Sequence, residues 1–539
     1  MLRRSWHSPE QITANRSWPW LAFMTAVVIA ALAMPSAAQT ANAPGAKGQL
    51  AAQSASAINT TVAQTEGASR KAVAPAGLQA AASKGRSFSC AVPGLPCDPE
   101  PASAGDTSTV VTPLTLPQAV AMALDKNPLH KASMAGTRIS LAAVRESRSP
   151  LLPKIMFTES AVRGNDPVFV FGTKLRQQSF TTADFALNRL NTPTPIGNFS
   201  SRFSGQWSLF DGLQSWYSVS RARYMQQASE QQLDRTDQEL VFLAVQAYDG
   251  VLLAQKQVAV AQDTLKTAQA TEDRSHARVE SGMAVDSDLL SAQVAVASRK
   301  QEVIQAENVL ALARAQLALA LGMPPDTMYD PQESLTEHGF PVTTVADLEQ
   351  QAMVKRPDLK RVESERSAQA KSISMAKGAF APRLNVFGSW ETDSPSPGWN
   401  GGNNWIAGAE LQFDLFDGDS KRAHLAMEKA TQEQATAMRD AFRDQIRLQV
   451  RKAYYDYDAA RQQVEVARGA IQQAEESLRI NQNRYDGGLT TVSDLLLVEE
   501  AAHRAQTEYW QAVYRLQSSY AGMELAAGTL TPDSPAVTQ

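Results

Sequence analysis

The residues able to carry chemistry are sparse and do not converge. Six histidines (His7, His130, His276, His338, His424, His503) are scattered without metal-ligand spacing, and Cys90 and Cys97 are the only thiols. Two cysteines exclude a disulfide scaffold and a Cys-based zinc site. No Gly-rich phosphate loop follows a strand pattern, and Ser-Asp pairs stand at helix starts rather than in a nucleophile turn. The chain therefore reads as no enzyme, with no cofactor and no metal. What recurs is the placement of acids. Asp288 and Asp494 each follow a Gly that ends a long helical pattern, and Asp211 and Asp417 each sit in Leu-Phe-Asp-Gly just before one. A carboxylate there meets free backbone N–H groups and the positive end of the helix dipole, so capping is the expected role of Asp211 and Asp417.

The elements that position these acids form an internal repeat. Arg484-Tyr485-Asp486-Gly487-Gly488-Leu489-Thr490-Thr491-Val492-Ser493-Asp494 answers Arg278-Val279-Glu280-Ser281-Gly282-Met283-Ala284-Val285-Asp286-Ser287-Asp288 at one constant offset. Gly ends the first helix of each pair, and Thr491 or Ser493 can cap the next. The helices entering the two tips repeat as well. Leu240, Ala244, Ala247, Val251, Ala254, Val258, Ala261, Leu265 and Ala268 match Ile446, Val450, Ala453, Tyr457, Ala460, Val464, Ala467, Ile471 and Ala474. Steps alternating between four and three make the seam of a left-handed coiled coil, and its many Ala residues allow close approach.

The chain has 539 residues and a formal charge of −4, with no basic run, which argues against nucleic acid as a partner. Arg3, Arg4 and Arg16 precede an apolar run from Leu21 to Met34, and Pro35-Ser36-Ala37-Ala38 supplies small residues, so residues 1–38 are expected to be a signal peptide. The alternative is an anchor, but the run is short for a span of about 20 residues. Residues 39–112 are rich in Ala, Ser and Gly and read as a disordered extension in which Cys90 and Cys97 could pair locally. The first structural repeat is expected over 113–323, a linker over 324–342, the second repeat over 343–528 and a disordered tail over 529–539.

Each repeat reads helix, helix, strands, long helix, long helix. Trp405, Ala407, Ala409 and Leu411 alternate with Gly408, Glu410 and Gln412; Phe199, Phe203 and Trp207 alternate with Ser200, Arg202, Ser204 and Gln206. Such strands fit a sandwich with a wet side or a lipid-facing barrel around a watery lumen. The export signal, the Trp residues and the lack of an apolar helix to cover the sheet favour the barrel. An insertion from about Gly164 to Gly197 and the loop from Ser394 to Asn403 are expected outside the cell. Four strands cannot close a barrel alone, so copies must associate; two would give eight strands and three would give twelve.

Asn127-Pro128-Leu129, Arg148-Ser149-Pro150-Leu151-Leu152-Pro153, the doubled Leu-Phe-Asp-Gly and the doubled tips together resemble the TolC-like outer membrane efflux proteins, over about Leu114 to Leu530. The resemblance implies a mostly α protein of long coiled-coil hairpins forming an α-barrel, with four strands per subunit entering a shared transmembrane β-barrel. It implies a homotrimer in outer membrane lipid that reaches into the periplasm of a Gram-negative bacterium. Its partners would be a periplasmic adaptor and an inner-membrane pump of RND or ABC type, and its function efflux or type I secretion of small molecules or polypeptides. It also implies an aperture: Asp494 matches an acid there, and Tyr485 matches a tyrosine that latches the closed mouth through the position of Asp288. Leu497 stands where a second acid is known and Thr490 where an arginine latch stands, so closure would be held differently. Gly282, Met283, Gly488 and Leu489 would be the adaptor-docking tips. The reading from another class is a secreted coiled-coil adhesion or interaction protein whose strands form a soluble sandwich.

Overall fold

A computed structural model describes residues 112–341 and 343–538. The expected signal peptide, the extension up to residue 111 and both cysteines lie outside the described residues. The first repeat contains β1 (Thr112–Leu114), α1 (Leu116–Lys126), α2 (Pro128–Ser147), β2 (Lys154–Gly164), α3 (Pro167–Arg176), α4 (Leu187–Asn191), β3 (Ile196–Phe210), α5 (Gln214–Glu280) and α6 (Asp286–Ala320). After β4 (Tyr329–Pro331), which pairs with β1, come α7 (Val345–Lys355), α8 (Pro357–Gly378), β5 (Arg383–Ser394), β6 (Gly402–Gln412), α9 (Ser420–Asp486), α10 (Val492–Ala527) and α11 (Pro535–Thr538).

Helix boundaries follow local chemistry. A capping box between Thr115 and Gln118 opens α1, and Asn127 ends it and caps α2 by accepting the Leu129 N–H at 2.9 Å. The Asn127 amide also donates to the Ala320 carbonyl at 2.9 Å, which docks the end of α6. Arg356 does the same work in the second repeat, donating to the Ala526 carbonyl at 3.2 Å. Both docks require glycine. Gly322 and Gly528 have φ of +74° and +71°, and a Cβ on either would lie within 3 Å of the Asn127 or Arg356 backbone.

The two long helices each hold 67 residues, about 100 Å of helix. Their seams are closed: Leu240, Ala244, Val251, Ala254, Ile446, Val450, Tyr457 and Val464 are buried, against α6 in one hairpin and α10 in the other. The largest apolar cluster lies where α1, α5, α6, α7, α9 and α10 meet, and includes Val120, Tyr248, Leu321, Leu516 and Tyr520. The tail departs from expectation. Leu530 and Val537 are fully buried in this cluster and α11 packs on α1, because the last apolar residues find a groove there.

The four longer strands form one antiparallel sheet in the order β2-β3-β5-β6. Register places Phe157, Phe203, Trp390 and Trp405 in one row across it. This face is apolar and open: Ile155, Trp405 and Leu411 are each about 70% exposed or more. No second layer of strands covers it among the described residues, so the sandwich reading is not favoured. The opposite face carries Thr158, Ser160, Ser200, Arg202, Ser389 and Glu391. The insertion does not extend away as a loop; α3 lies against this polar face, and a short turn and α4 pack on α3.

Each strand-to-helix passage turns on Leu-Phe-Asp-Gly. Gly212-Leu213 and Gly418-Asp419 are consecutive left-handed residues. Asp211 then accepts the Ser215 N–H at 2.8 Å and Asp417 the Lys421 N–H at 2.9 Å, the capping role expected for both.

Candidate functional site at the hairpin tips

Both tips are Schellman turns. Gly282 and Gly488 adopt φ near +70°, and the Met283 and Leu489 N–H groups reach back to the Arg278 and Arg484 carbonyls at 2.8 Å. The turn forces Met283 and Leu489 outward, 68% and 72% exposed. An apolar pair held in water by backbone geometry is available to a partner.

Beyond the second tip, Thr491 is the N-cap of α10, and Asp494 completes a capping box with it. The exposed Asp494 carboxylate accepts from the Thr491 hydroxyl at 2.7 Å, the Thr491 N–H and the Thr490 hydroxyl. Those bonds, the Thr491 hydroxyl foremost, hold it below the usual carboxylate range. It is therefore a fixed negative charge at the tip. Asp288 sits in the first turn of α6, but Val285 occupies the cap position there, so no capping box forms.

Tyr485 is buried, and its hydroxyl shares a 2.8 Å hydrogen bond with Ser275. Among the described residues it makes no hydrogen bond to Asp288. The cause is directional. Side chains lean toward the N-terminus of their own helix, so Tyr485, at the end of α9, points away from the tip where Asp288 sits. What covers Tyr485 is Arg278, whose guanidinium lies 4.8 Å from the ring centroid and donates to the Tyr485 carbonyl. One residue thus joins the two tips within a chain. Ala292, Val492 and Leu495 complete a small apolar cluster around Tyr485.

A polar ladder continues above. Thr271 donates to Glu499 at 2.7 Å; Arg299 bridges Glu302 and Glu500; Thr264 and His503 lie 3.0 Å apart. Burial pushes the Glu499 carboxyl up, against the Thr271 bond and Arg274. Burial also lowers His503. Sequence reasoning missed Arg278, Ser275, Thr271, Glu499 and Arg299. The available signal was that the Ala-rich seam gives way to Thr271 and Ser275 at its end, both fully buried. The tips hold no cluster suited to a metal: among the described residues no group of three or more His, Cys, Asp or Glu could hold one.

Stacked hairpins, a four-stranded sheet with one wet face and doubled glycine tips define a channel-forming class of outer membrane protein. The family model of outer membrane efflux proteins matches residues 119–323 and 348–529. The chain belongs to that family, and the protein is an outer membrane export channel subunit that extends into the periplasm.

Relatives include the pyoverdine export outer membrane protein OpmQ of Pseudomonas putida, 23% identical over 76% of this chain and 85% of that protein. The alkaline protease secretion protein AprF of Pseudomonas aeruginosa is 22% identical over 76% and 83%. The fusaric acid resistance protein FusA of Burkholderia cepacia is 28% identical over 36% of this chain, and the match spans only 37% of that relative. In fold, the chain is similar to the outer membrane protein VceC of Vibrio cholerae, with a TM-score of 0.63 at 18% identity over 77% of this chain and 96% of that one. It is likewise similar to the open state of the MtrE channel of Neisseria gonorrhoeae, with a TM-score of 0.64 at 18% identity over 78% and 90%.

Proposed function

We propose that three copies of this chain close into one duct, a twelve-stranded barrel continued by helical hairpins, for passive export of small molecules or polypeptides. The observation that carries this reading is the sheet itself. Among the described residues, its outer strands β2 and β6 have unpaired edges 11 residues long, and its apolar face is uncovered. An open edge is not tolerated in hydrocarbon, so in a bilayer identical neighbours must supply the missing partners. Strands of this length, tilted by ~40°, span roughly 27 Å, close to the ~25 Å apolar band of an outer membrane barrel.

Within that duct Asp494 provides a ring of three negative charges at the periplasmic mouth, where it favours cations. Tyr485 holds the mouth shut through Ser275 and Arg278, and Asp288 adds charge without the latch bond. Gly282, Met283, Gly488 and Leu489 are the surface that an adaptor engages, coupling the duct to an inner-membrane pump of RND or ABC type. The relatives' names span pyoverdine export, alkaline protease secretion and fusaric acid resistance, which supports a tunnel that is polar and wide rather than ligand-specific.

The test is native mass measurement on protein extracted from outer membranes. A detergent-dependent trimer is expected. A monomer released by salt alone sinks the duct.

A further inference from the structure

We propose that residues 165–195 form a cap across the outer mouth of the duct, latched by Arg176 and Gln177 on the rim of the sheet. This rests on the trimeric duct proposed above, which makes the polar face of the sheet the lumen wall.

The geometry starts with α3. Asp166 caps it, accepting the Phe169 N–H at 2.9 Å, directly after β2 ends at Gly164. Its far end lies at the tops of β3 and β6. Gln177 donates to the Gly197 carbonyl and to Asn198 Oδ1, both at 2.9 Å, and Asn404 donates to the Arg176 carbonyl at 3.2 Å. The helix therefore crosses all four strands, and its 10 residues, about 15 Å, match three strand spacings of ~4.8 Å. It is a chord across the wall, not a loop pointing outward.

The attachment is built. Asn198 and Asp393, both buried, are joined at 2.6 Å beneath the helix end, and Arg176 lies 3.9 Å from Glu391, which also pairs with Arg202 at 2.8 Å. Gly402 lets the backbone come close, since a Cβ there would lie 2.1 Å from the Arg176 carbonyl oxygen. The insertion also braces itself. Phe171, Phe180 and Phe185 stack edge to face, and Lys174 pairs with Asp184 at 2.6 Å. Between α3 and the sheet lies a recess of about 930 Å³ floored by Lys154, Thr158, Ser204 and Gln206.

Three copies would constrict the mouth. Twelve strands ~4.8 Å apart and tilted by ~40° enclose a lumen about 24 Å across between backbones. A chord over three of those twelve spacings, a quarter of the wall, passes about 8 Å from the axis, and a helix is ~10 Å thick. Three α3 helices then leave an opening only about 7 Å across at the centre. Export requires the cap to lift off its rim, giving the duct an outer closure separate from the periplasmic one.

The experiment reads access from outside. In a chain with Cys90 and Cys97 changed to Ser, Ser204→Cys lies about 20 Å below the rim and Asn400→Cys lies in the exposed β5–β6 loop. Intact cells are treated with a bulky polyethylene-glycol maleimide. The expected result is that Ser204→Cys labels several-fold more slowly than Asn400→Cys. Replacing 165–195 by a short Gly-Ser turn, or the milder Gly402→Ala, should bring the two rates together. Equal rates with the insertion intact overturn the cap, as does slow labelling that survives both changes. If Asn400→Cys labels only after lysis, the barrel orientation fails, and the cap fails with it.

Discussion

Arg278 and Tyr485 tie the two hairpin tips of one subunit together. The guanidinium lies 4.8 Å from the ring centroid and donates to the carbonyl of the same residue. A cation–π contact at a part-exposed site contributes about 1 kcal/mol, and the bond to the carbonyl adds to it. In the proposed duct, moving one hairpin against the other at the mouth would break both.

Arg278→Ala is therefore expected to make the closed duct leak. Basal single-channel conductance in planar bilayers should rise several-fold, with Arg278→Lys between the two because it keeps a cation over the ring. Unchanged conductance in a variant of lower thermal stability would make the pair a fold brace only.

Much of this site was legible and part was not, for physical reasons. The hairpins and their tips follow from period and glycine placement, which are local properties. The partner of Tyr485 is set by the lean of one side chain across two helices. A resemblance at the level of sequence pointed to Asp288, where the folded chain pairs Ser275. The insertion was legible as an interruption between strands, but nothing in Val168-Phe169-Val170-Phe171 tells which side of a sheet it will cover. The tail over 529–539 is expected to be disordered, yet Leu530 and Val537 are buried in the main apolar cluster, a tertiary contact that no local pattern announces.

Asp494 completes the capping box of α10, and one substitution pair separates that role from the proposed one at the aperture. Asp494→Asn keeps an oxygen for the Thr491 N–H but removes the charge; Asp494→Ala removes both. Reversal potentials should show reduced cation preference in both variants. Thermal stability should fall mainly in the Ala variant, by up to about 1 kcal/mol, for the capping-box bonds lost from Thr491, which itself still caps α10. Cation preference retained in both takes Asp494 out of the aperture.

Asp249 gives the folded chain a pH dependence far from the mouth. Burial first, then the nearby Glu333 charge, pushes its carboxyl up to about 7 from the ordinary 3.8. Between those values the unfolded chain has lost a proton that the folded chain keeps, so stability falls as pH rises, by roughly 1.4 kcal/mol per unit at most, and levels off above the folded pKa. Asp249→Asn mimics the protonated form. Its melting temperature should exceed that of the unaltered chain near pH 8 and converge with it near pH 4. A constant offset across that range would show that Asp249 does not titrate.

The two Leu-Phe-Asp-Gly turns look equivalent but differ in surroundings, and the difference reports on assembly. Gly212 and Gly418 share φ near +70°, so Ala at either carries the left-handed penalty of about 1–2 kcal/mol. A Cβ on Gly212 would also lie 2.1 Å from the Gly378 carbonyl oxygen at the end of α8, whereas one on Gly418 meets nothing within 4 Å among the described residues. α8 packs on both α5 and α9, while α2 packs on α5 and, among the described residues, its other side meets no second long helix. Ring closure would bring α9 of one copy onto that other side of a neighbour's α2, with the turn around Ser149 standing where Gly378 stands for Gly212. Gly212→Ala should then lower the yield of folded chain. Gly418→Ala should spare the chain and lower the temperature at which trimers dissociate on native gels. If the two variants behave alike in both assays, the α9–α2 contact between copies is not how the ring closes.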